Sequence, residues 1–307
     1  MEKPSDNKEK QSHASVTKVA FIGLGVMGYP MAGHLSNAGY PTTVYNRSEG
    51  KAHAWAEEHR GSTESTPAKA SENADIIFMC VGNDDDVRSV VYGKDGILSG
   101  AKPGSVLVDH TTTSASLSRE LAERCQETNV HFIDAPVSGG QAGAENGVLT
   151  VMAGGEESVL ASVEPVMASY SKAISLMGPV GSGQLCKMVN QLCIAGLLQG
   201  LSEGITLAKS AGLDVENVIG AIKHGAAGSW QMENRGKTMA NNQFDFGFAI
   251  DWMRKDLGIC FDEAKRLSVD LPIAEYVDKQ YAELQERGFN RCDTSVLIKQ
   301  FDDEKRD

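Results

Sequence analysis

The stretch VAFIGLGVMG, residues 19–28, decides the fold. Its first four residues, Val19 to Ile22, are continuously apolar, which is typical of a strand buried in a parallel sheet. The next six follow a G-x-G-x-x-G pattern, in which glycine permits a tight turn and close packing of a helix on the strand. We therefore predict a strand that turns through these glycines into a helix over Tyr29–Ala38, as the start of a β-α-β unit.

A glycine-rich turn between a strand and a helix is typical of a dinucleotide site. The glycines let the backbone approach a pyrophosphate, and the start of the helix supplies free N–H groups and the positive end of a dipole. This context favours a cofactor site over a purely structural turn. The residues predicted to contact the cofactor here are Gly23, Leu24, Gly25, Val26, Met27 and Gly28.

Strand and helix patterns keep alternating beyond this unit. The further strand-like runs, all within residues 42–155, are TTVYNR, ADIIFMCVG, GSVLVDHTT, VHFIDAPV and LTVMAGG. Such alternation predicts an N-terminal Rossmann-type, doubly wound and mostly parallel α/β sheet. After Gly183 the pattern is helical, which predicts an all-α C-terminal domain that starts with a long interdomain helix. Helices are predicted over Gly183–Ser210, Val215–Lys223, Met253–Leu267 and Ala274–Arg287.

The boundary between the two halves is predicted at residues 178–182, where glycines and a proline interrupt both patterns. We predict a flexible leader over 1–15, a dinucleotide-binding Rossmann-type domain over 16–180, a helical substrate and oligomerisation domain over 181–301, and a charged tail over 302–307. The long helix is apolar on more than one face. This predicts a homo-oligomer, either a dimer or a tetramer.

Composition and charge exclude several classes of protein. Asp and Glu outnumber Lys and Arg by 41 to 29 among 307 residues, and a net charge of −12 disfavours nucleic acids and anionic membranes as partners. The most apolar stretch, Leu192 to Ala208, is broken by polar residues and glycines, so it predicts a buried helix instead of a membrane span. Six scattered cysteines indicate neither a zinc site nor disulfides, and the lack of a targeting signal predicts a cytoplasmic protein.

The end of the second predicted strand indicates which dinucleotide is bound. NAD enzymes usually place an acidic residue there, about 20 residues past the glycines, to bind the ribose 2′-hydroxyl. This chain has Asn46, Arg47 and Ser48 instead. Arg47 can pair with a 2′-phosphate and the other two can donate hydrogen bonds to it, whereas a solvated Arg47 without a ligand is the simpler alternative. The sequence thus predicts NADP(H) in preference to NAD(H), with NAD(H) as the second choice.

The motif DAPVSGG, residues 134–140, is a candidate anion site. The hydroxyl of Ser138 and the N–H groups of Gly139 and Gly140 can form a nest for a small carboxylate. A flexible loop is the alternative.

The motif GQLCKMVNQ, residues 183–191, opens the long helix. Lys187, Asn190 and Gln191 share one face of it. Apolar neighbours would partly desolvate Lys187 and lower its pKa toward the range of a general acid or base. Most lysines on helices face solvent, which is the competing interpretation.

Together these motifs resemble the β-hydroxyacid dehydrogenase family, which includes 3-hydroxyisobutyrate dehydrogenases and tartronate semialdehyde reductases. The glycine pattern, the NRS triplet, DAPVSGG, G-x-x-x-K-x-x-N and Lys255-Asp256-Leu257 occur in the family's order between residues 16 and 301. The resemblance implies reversible hydride transfer between NAD(P) and a small β-hydroxyacid or its semialdehyde, with Lys187 as the general acid/base.

The resemblance also implies roles for further residues. Ser138, Gly139 and Gly140 match the loop for the substrate carboxylate, and Asn190 or Gln191 would orient the substrate oxygen. Many relatives have Asn-Asn at this point, so which of the two side chains faces the substrate stays open. The positions that match cofactor contacts are Val81, Gly82, Thr112 and Lys255. The triplet Cys80-Val81-Gly82 departs from the Leu-Pro often found there, which leaves the side-chain roles open.

Other functions stay in consideration. An imine reductase-like enzyme has a similar architecture but typically another residue in place of Lys187. A 6-phosphogluconate dehydrogenase would be expected to show His-Asn after the lysine and a larger helical domain. A non-catalytic NADP-binding scaffold would bind the cofactor but oxidise no hydroxyacid.

Other polar and aromatic clusters lie outside these motifs. Asp84-Asp85-Asp86 is predicted to be a solvated loop, and no metal site is assigned. His110 is a minor candidate for the cofactor cleft. Residues 229–232 and 244–248 are predicted loops, from which Trp230 and Phe248 could close the active site.

An acidic protein that binds an anionic cofactor and an anionic substrate needs a local exception to its net charge. We therefore predict a positive cleft around Arg47, Lys187 and Lys255.

Overall fold

The structure of the protein is a computed structural model that describes residues 16–302. The predicted leader over 1–15 and positions 303–307 of the predicted tail lie outside the described residues. The described chain forms an α/β half followed by a helical half, and it passes from one to the other between Gly178 and Ser182.

Nine strands of the described chain form one mostly parallel sheet. They are β1 (Val19–Ile22), β2 (Thr42–Tyr45), β3 (Gly61–Thr63), β4 (Ile76–Met79), β5 (Val106–Asp109), β6 (His131–Asp134), β7 (Val137–Ser138), β8 (Leu149–Gly154) and β9 (Ser171–Gly178). Their order is β3-β2-β1-β4-β5-β6-β8-β7, and β9 pairs with β8. The first six strands run parallel to one another, whereas β8 is antiparallel to β6 and β7.

The central strands explain the apolar runs of the sequence. β1, β4 and β5 are buried along their whole length because helices cover both faces of the sheet. Phe21 pairs with Phe78 across the ladder, and the centroids of their rings lie 6.1 Å apart. The strand order reverses between β1 and β4, so their carboxyl ends open onto a crevice of the kind that binds ligands in such sheets.

The helices of the α/β half lie between these strands. They are α1 (Gly28–Asn37), α2 (Glu49–Glu58), α3 (Pro67–Ser71), α4 (Asp84–Val91), α5 (Ile97–Gly100), α6 (Ala115–Glu127), α7 (Gly140–Glu145) and α8 (Glu157–Met167).

The helical half is arranged around one long helix. Its elements are α9 (Ser182–Ser210), α10 (Val215–Ile222), α11 (Trp230–Ala240), α12 (Ile250–Leu267), α13 (Pro272–Glu286) and a 3₁₀ helix over Thr294–Phe301. α9 has 29 residues and is about 43 Å long. Leu198, Ile250 and Tyr281 lie in the core that α9 shares with α12 and α13. None of the described helices is long and apolar enough to cross a lipid bilayer.

Two segments predicted as loops are helical. Asp84, Asp85 and Asp86 form the first turn of α4, and Trp230 begins α11. Each helix starts after a good N-cap: Asn83 Oδ1 accepts the N–H of Asp86, and Ser229 Oγ accepts the N–H of Met232. The three carboxylates suit the positive end of the helix dipole, so the prediction of a solvated acidic loop was wrong for a local electrostatic reason.

Three of the nine strands were not predicted as separate strands. β3 has three residues, β7 has two and overlaps the end of the predicted run VHFIDAPV, and β9 is an edge strand whose side chains are half-buried or exposed. None of them shows the continuous burial that made the central strands recognisable.

Candidate active site

A cleft of about 1470 Å³ lies between the crevice of the sheet and the helical half. Its walls are formed by loops after the carboxyl ends of β1, β2, β4 and β5 and by residues of α9, α11 and α12. Among the described residues, eight Lys and Arg side chains line it, against four Asp and no Glu. A formal excess of four positive charges, in a chain whose net charge is −12, agrees with the predicted positive cleft.

Most residues singled out from the sequence line this cleft. They are Gly23, Gly25, Val26, Met27, Asn46, Arg47, Ser48, Val81, Gly82, Thr112, Ser138, Gly139, Gly140, Lys187, Asn190, Gln191 and Lys255. Leu24 and Gly28 lie behind it. The side chain of Leu24 is fully buried, and a Cβ on Gly28 would come within 2.0 Å of the carbonyl oxygen of Gly23.

The glycine-rich turn is shaped by close packing on one side and open space on the other. Gly23 has a φ of +96°, and a Cβ there would lie 2.3 Å from the carbonyl oxygen of Cys80. A Cβ on Gly25 would meet no atom within 4 Å. Among the described residues, no hydrogen bond uses the N–H groups of Gly25, Val26 and Met27, which precede α1. The turn therefore offers free donors to an anion at the positive end of a helix.

The loop after β2 combines a fixed amide with an exposed cation. Asn46 Oδ1 accepts the N–H of Leu24 at 3.0 Å, and Asn46 Nδ2 donates to the carbonyl oxygen of Ser48 at 3.1 Å. The Arg47 side chain is 90% exposed, and its Nη1 lies 3.6 Å from Asp86 Oδ1. Both polar ends of Asn46 thus brace the loop, while Arg47 is left able to pair with a ligand.

Lys187 lies near the start of α9 with its amine buried in the cleft wall. The residue is 7% exposed, and Nζ donates to the carbonyl oxygen of Val137 at 2.9 Å. Burial lowers the pKa of Lys187 to about 8, with Asp256 raising it and Lys255 lowering it. An amine with this pKa can hold or release a proton near neutral pH.

A chain of hydrogen bonds connects the serine-glycine loop with α12. Ser138 Oγ donates to Asn190 Oδ1 at 3.3 Å, and Asn190 Nδ2 donates to Gln191 Oε1 at 2.7 Å. Gln191 Nε2 then donates to Asp256 Oδ2 at 2.6 Å. Asn190 bonds to Ser138 of the loop and Gln191 bonds to Asp256 of α12, so the two neighbouring amides contact different parts of the site.

Asp256 was missed by sequence reasoning, although it lies inside a motif that had been recognised. The residue is 3% exposed, and its Oδ1 lies 2.8 Å from Lys255 Nζ as an ion pair without hydrogen-bond alignment. Lys255 Nζ also donates to the carbonyl oxygen of Thr112 at 2.6 Å. This lysine therefore joins the helical half to the loop after β5.

Asp134 fixes the beginning of α9 and was also missed. Its carboxylate accepts the N–H groups of Gly181 at 2.7 Å and Gln184 at 2.9 Å. Burial raises the pKa of Asp134 to about 6, although these hydrogen bonds lower it. The side chain of Gln184 in turn bonds the backbone of Thr111 and Thr113, so the helix start is tied to two strand ends.

His110 is almost fully buried in the sheet core and also lines the cleft. Its Nδ1 is 2.6 Å from the carbonyl oxygen of Ala135, and its Nε2 is 2.9 Å from the hydroxyl of Tyr170. Burial lowers the pKa of His110 to about 4, so the ring is neutral at physiological pH. With both nitrogens engaged, His110 lines the cleft as a neutral packing residue. Trp230 and Phe248 line it as well.

Two family models cover almost the entire described chain. Residues 18–178 match the NAD binding domain of 6-phosphogluconate dehydrogenase. Residues 181–301 match the domain described as NAD-binding of NADP-dependent 3-hydroxyisobutyrate dehydrogenase.

Curated relatives and solved structures match over similar lengths. An uncharacterized oxidoreductase of Shewanella frigidimarina is 59% identical over 92% of this chain and 97% of its own length. The probable 3-hydroxyisobutyrate dehydrogenase-like 1 of Arabidopsis thaliana is 41% identical over 92% of this chain and 85% of its own. The 2-hydroxy-3-oxopropionate reductase of Escherichia coli is 33% identical over 92% and 96%. The solved structure of Mycobacterium tuberculosis 3-hydroxyisobutyrate dehydrogenase with L-serine has a TM-score of 0.83 at 27% identity, and the match covers 92% of this chain and 98% of that one. This chain belongs to the β-hydroxyacid dehydrogenase family and is an NAD(P)-dependent dehydrogenase.

Proposed function

We propose that this protein is an NADP(H)-preferring oxidoreductase that interconverts a small β-hydroxyacid and its semialdehyde, with Lys187 as the general acid/base. The observation that carries the proposal is a buried amine with a lowered pKa in the wall of a positive cleft, on the same helix face as Asn190 and Gln191. Residues 16–180 would bind the cofactor, and residues 181–301 would complete the substrate site.

The glycine-rich turn fits a dinucleotide. The open side of Gly25 and the free N–H groups of Val26 and Met27 would hold the pyrophosphate. Val81, Gly82, Thr112 and Lys255 would line the nicotinamide end. When bound, the nicotinamide accepts or supplies the hydride.

The proton is handled by Lys187. In oxidation the neutral amine removes the hydroxyl proton of the substrate, and in reduction the ammonium stabilises the developing alkoxide and protonates it. The carbonyl oxygen of Val137 holds Nζ in place in both directions. Asp256 favours the ammonium form and opposes the effect of burial on the pKa of Lys187.

The substrate carboxylate would bind at Ser138, Gly139 and Gly140. Gly139 and Gly140 have φ values of +133° and +62°, conformations that favour glycine, and their N–H groups would bind the carboxylate together with the Ser138 hydroxyl. Asn190 holds the Ser138 hydroxyl and would orient the substrate oxygen with it.

A substrate screen tests this function. We expect NADPH consumption with 2-hydroxy-3-oxopropionate or the semialdehyde of 3-hydroxyisobutyrate, which are the substrate types named by the relatives. An aldehyde of similar size without the carboxylate should be reduced about 100-fold less efficiently, because it lacks the group that positions the carbonyl. Tight NADPH binding without turnover of any hydroxyacid or semialdehyde would favour a non-catalytic scaffold, and turnover of cyclic imines alone would favour an imine reductase.

The preference for NADP(H) rests on the loop after β2. No carboxylate occupies positions 46–48, and Arg47, Ser48 and the nearby Lys51 line the cleft there. Since the Asn46 amide is engaged with Leu24 and Ser48, Arg47 would provide the main contact with the 2′-phosphate.

Arg47→Ala is expected to lower the NADP/NAD ratio of kcat/KM by about 30-fold, the effect of losing a charge-assisted contact of roughly 2 kcal/mol. The kcat/KM for NADP should fall, while the kcat/KM for NAD should stay nearly unchanged. Arg60→Ala is the matched control, because Arg60 is exposed outside the cleft. An unchanged NADP/NAD ratio in Arg47→Ala would remove the 2′-phosphate assignment.

We also propose that the protein is a homo-oligomer that pairs through the outer face of α9. Val189 and Leu207 lie on one side of this helix and are 60% and 71% exposed, and α10 has no buried residue at all. Leu207→Glu should therefore shift the protein toward the monomer in sedimentation velocity. A wild-type monomer at micromolar concentration would contradict the proposal.

A further inference from the structure

The helical half contributes a further cation to the cleft besides Lys187 and Lys255, namely Arg235. Arg235 in α11 lines the cleft with only 16% of its side chain exposed. Its guanidinium carbon lies 4.0 Å from the ring centroid of Phe246 and 5.0 Å from that of Trp230. Two aromatic faces thus hold a cation at a fixed place in the wall.

The hydrogen bonds of Arg235 leave part of its guanidinium available. Nε donates to Asp293 Oδ1 at 3.2 Å, and Nη1 donates to the carbonyl oxygen of Asn234 at 3.1 Å. Within residues 16–302 no hydrogen bond uses Nη2. Asp293 Oδ1 also accepts the N–H and the hydroxyl of Ser295, so its negative charge is shared among several donors. Arg235 is thus ion-paired with Asp293, while the outer edge of its guanidinium keeps unused N–H donors for an anion.

The segment that stacks on Arg235 meets the serine-glycine loop across the cleft. Gly247 follows Phe246, and a Cβ on Gly247 would come 2.5 Å from Gln141 Oε1. Gln141 follows Gly140 directly in the chain. Arg235 therefore packs, from the helical side of the cleft, on the segment that contacts the residue next to this loop.

We infer that Arg235 binds a second acidic group of the substrate, so that the preferred substrates are β-hydroxyacids with an additional carboxylate on their side chain. This inference rests on the proposed function. The guanidinium fork suits a carboxylate because two parallel N–H groups match its two oxygens. Ile194 and Leu197, which lie beyond Asn190 on α9 and also line the cleft, provide apolar surface for the methylene groups between the two acids.

The test compares 2-(hydroxymethyl)glutarate with its distal monoamide, which has the same size and reacting end but lacks the second charge. We expect the wild-type enzyme to oxidise the diacid with a kcat/KM about 30-fold higher than that of the amide, mainly through a lower KM. In Arg235→Gln the kcat/KM values of the two substrates should lie within about threefold of each other, because only the value for the diacid falls. Arg235→Lys should keep part of the preference, since the charge remains but the fork is lost.

Lys237→Gln is the matched control, because it removes a positive charge from the same helix outside the cleft and should leave the preference intact. If Arg235→Gln lowered kcat/KM equally for both substrates, Arg235 would have only a structural role in the cleft wall, and the inference would be overturned. A wild-type enzyme that oxidises 3-hydroxyisobutyrate but does not prefer the diacid to its amide would overturn the inference while the proposed function stands. Failure to oxidise any β-hydroxyacid would instead overturn the proposed function, and this inference with it.

Discussion

Lys187→Ala is expected to lower kcat about 1000-fold in both directions of the reaction, while NADPH still binds. General acid and base catalysis by a positioned side chain contributes on the order of 10²–10⁴-fold. The fold should tolerate the change, because a buried amine whose pKa is lowered to about 8 by burial adds little to stability at neutral pH. The measurement is steady-state turnover beside a fluorescence titration with NADPH, which separates loss of chemistry from loss of folding.

Lys209→Ala is the matched control for this variant. Lys209 lies on the same helix, and its Nζ also donates to a backbone carbonyl, that of Ala240 at 2.9 Å. It should keep wild-type turnover. Comparable activity in Lys187→Ala and Lys209→Ala would show that proton transfer does not pass through Lys187.

The pH profile supplies a second readout for Lys187. Oxidation needs the neutral amine, so kcat/KM for the hydroxyacid should rise with pH and level off above a pKa near 8. Reduction uses the ammonium form, so kcat/KM for the semialdehyde should fall over the same pH range. In Asp256→Asn the oxidation limb should move to lower pH, because the carboxylate that favours the ammonium form has been removed. If kcat/KM for oxidation rose at the same pH in the wild type and in Asp256→Asn, Asp256 would not influence the pKa of Lys187.

Local patterns made the fold and part of the site predictable. The glycine turn is encoded in ten consecutive residues, and its physical basis is the backbone freedom of Gly23 beside Cys80. The apolar runs of β1, β4 and β5 identified the parallel sheet because these strands are buried on both faces. β9 lacked such a signal because it lies at the edge of the sheet.

Residues whose partners lie far along the chain could not be found in the same way. Asp256 meets Gln191 across 65 positions, and Arg235 meets Asp293 across 58. Their types carry no periodic signal, since a charged residue on a helix is usually solvated. Only the folded chain brings these side chains into the cleft, where their charge acts on Lys187 or on a ligand.

Gly183→Ala is expected to lower the free energy of unfolding by about 3 kcal/mol and kcat/KM by about 100-fold. A Cβ at this position would come 2.4 Å from the carbonyl oxygen of Met152 and 2.8 Å from that of Asp134, and backbone atoms of a central sheet cannot easily move away. The first turn of α9 would have to lift from the sheet. Lys187 lies one turn further along the same helix, so Nζ would move with it and lose its place beside the carbonyl oxygen of Val137. Chemical denaturation and steady-state kinetics measure the two effects separately.

Gly258→Ala is the control, because it makes the same substitution inside α12 at a position where a Cβ would meet no atom within 4 Å. Alanine favours a helix over glycine by up to about 1 kcal/mol, so this variant should be as stable as the wild type or slightly more stable, with unchanged kcat/KM. Loss of stability in Gly183→Ala without loss of kcat/KM would mean that α9 can shift without displacing Lys187. In that case the hydrogen bonds of Asp134 would hold the two halves together without positioning the amine of Lys187. If stability and kcat/KM fall together, the position of the Lys187 amine depends on the close packing of the start of α9 on the sheet.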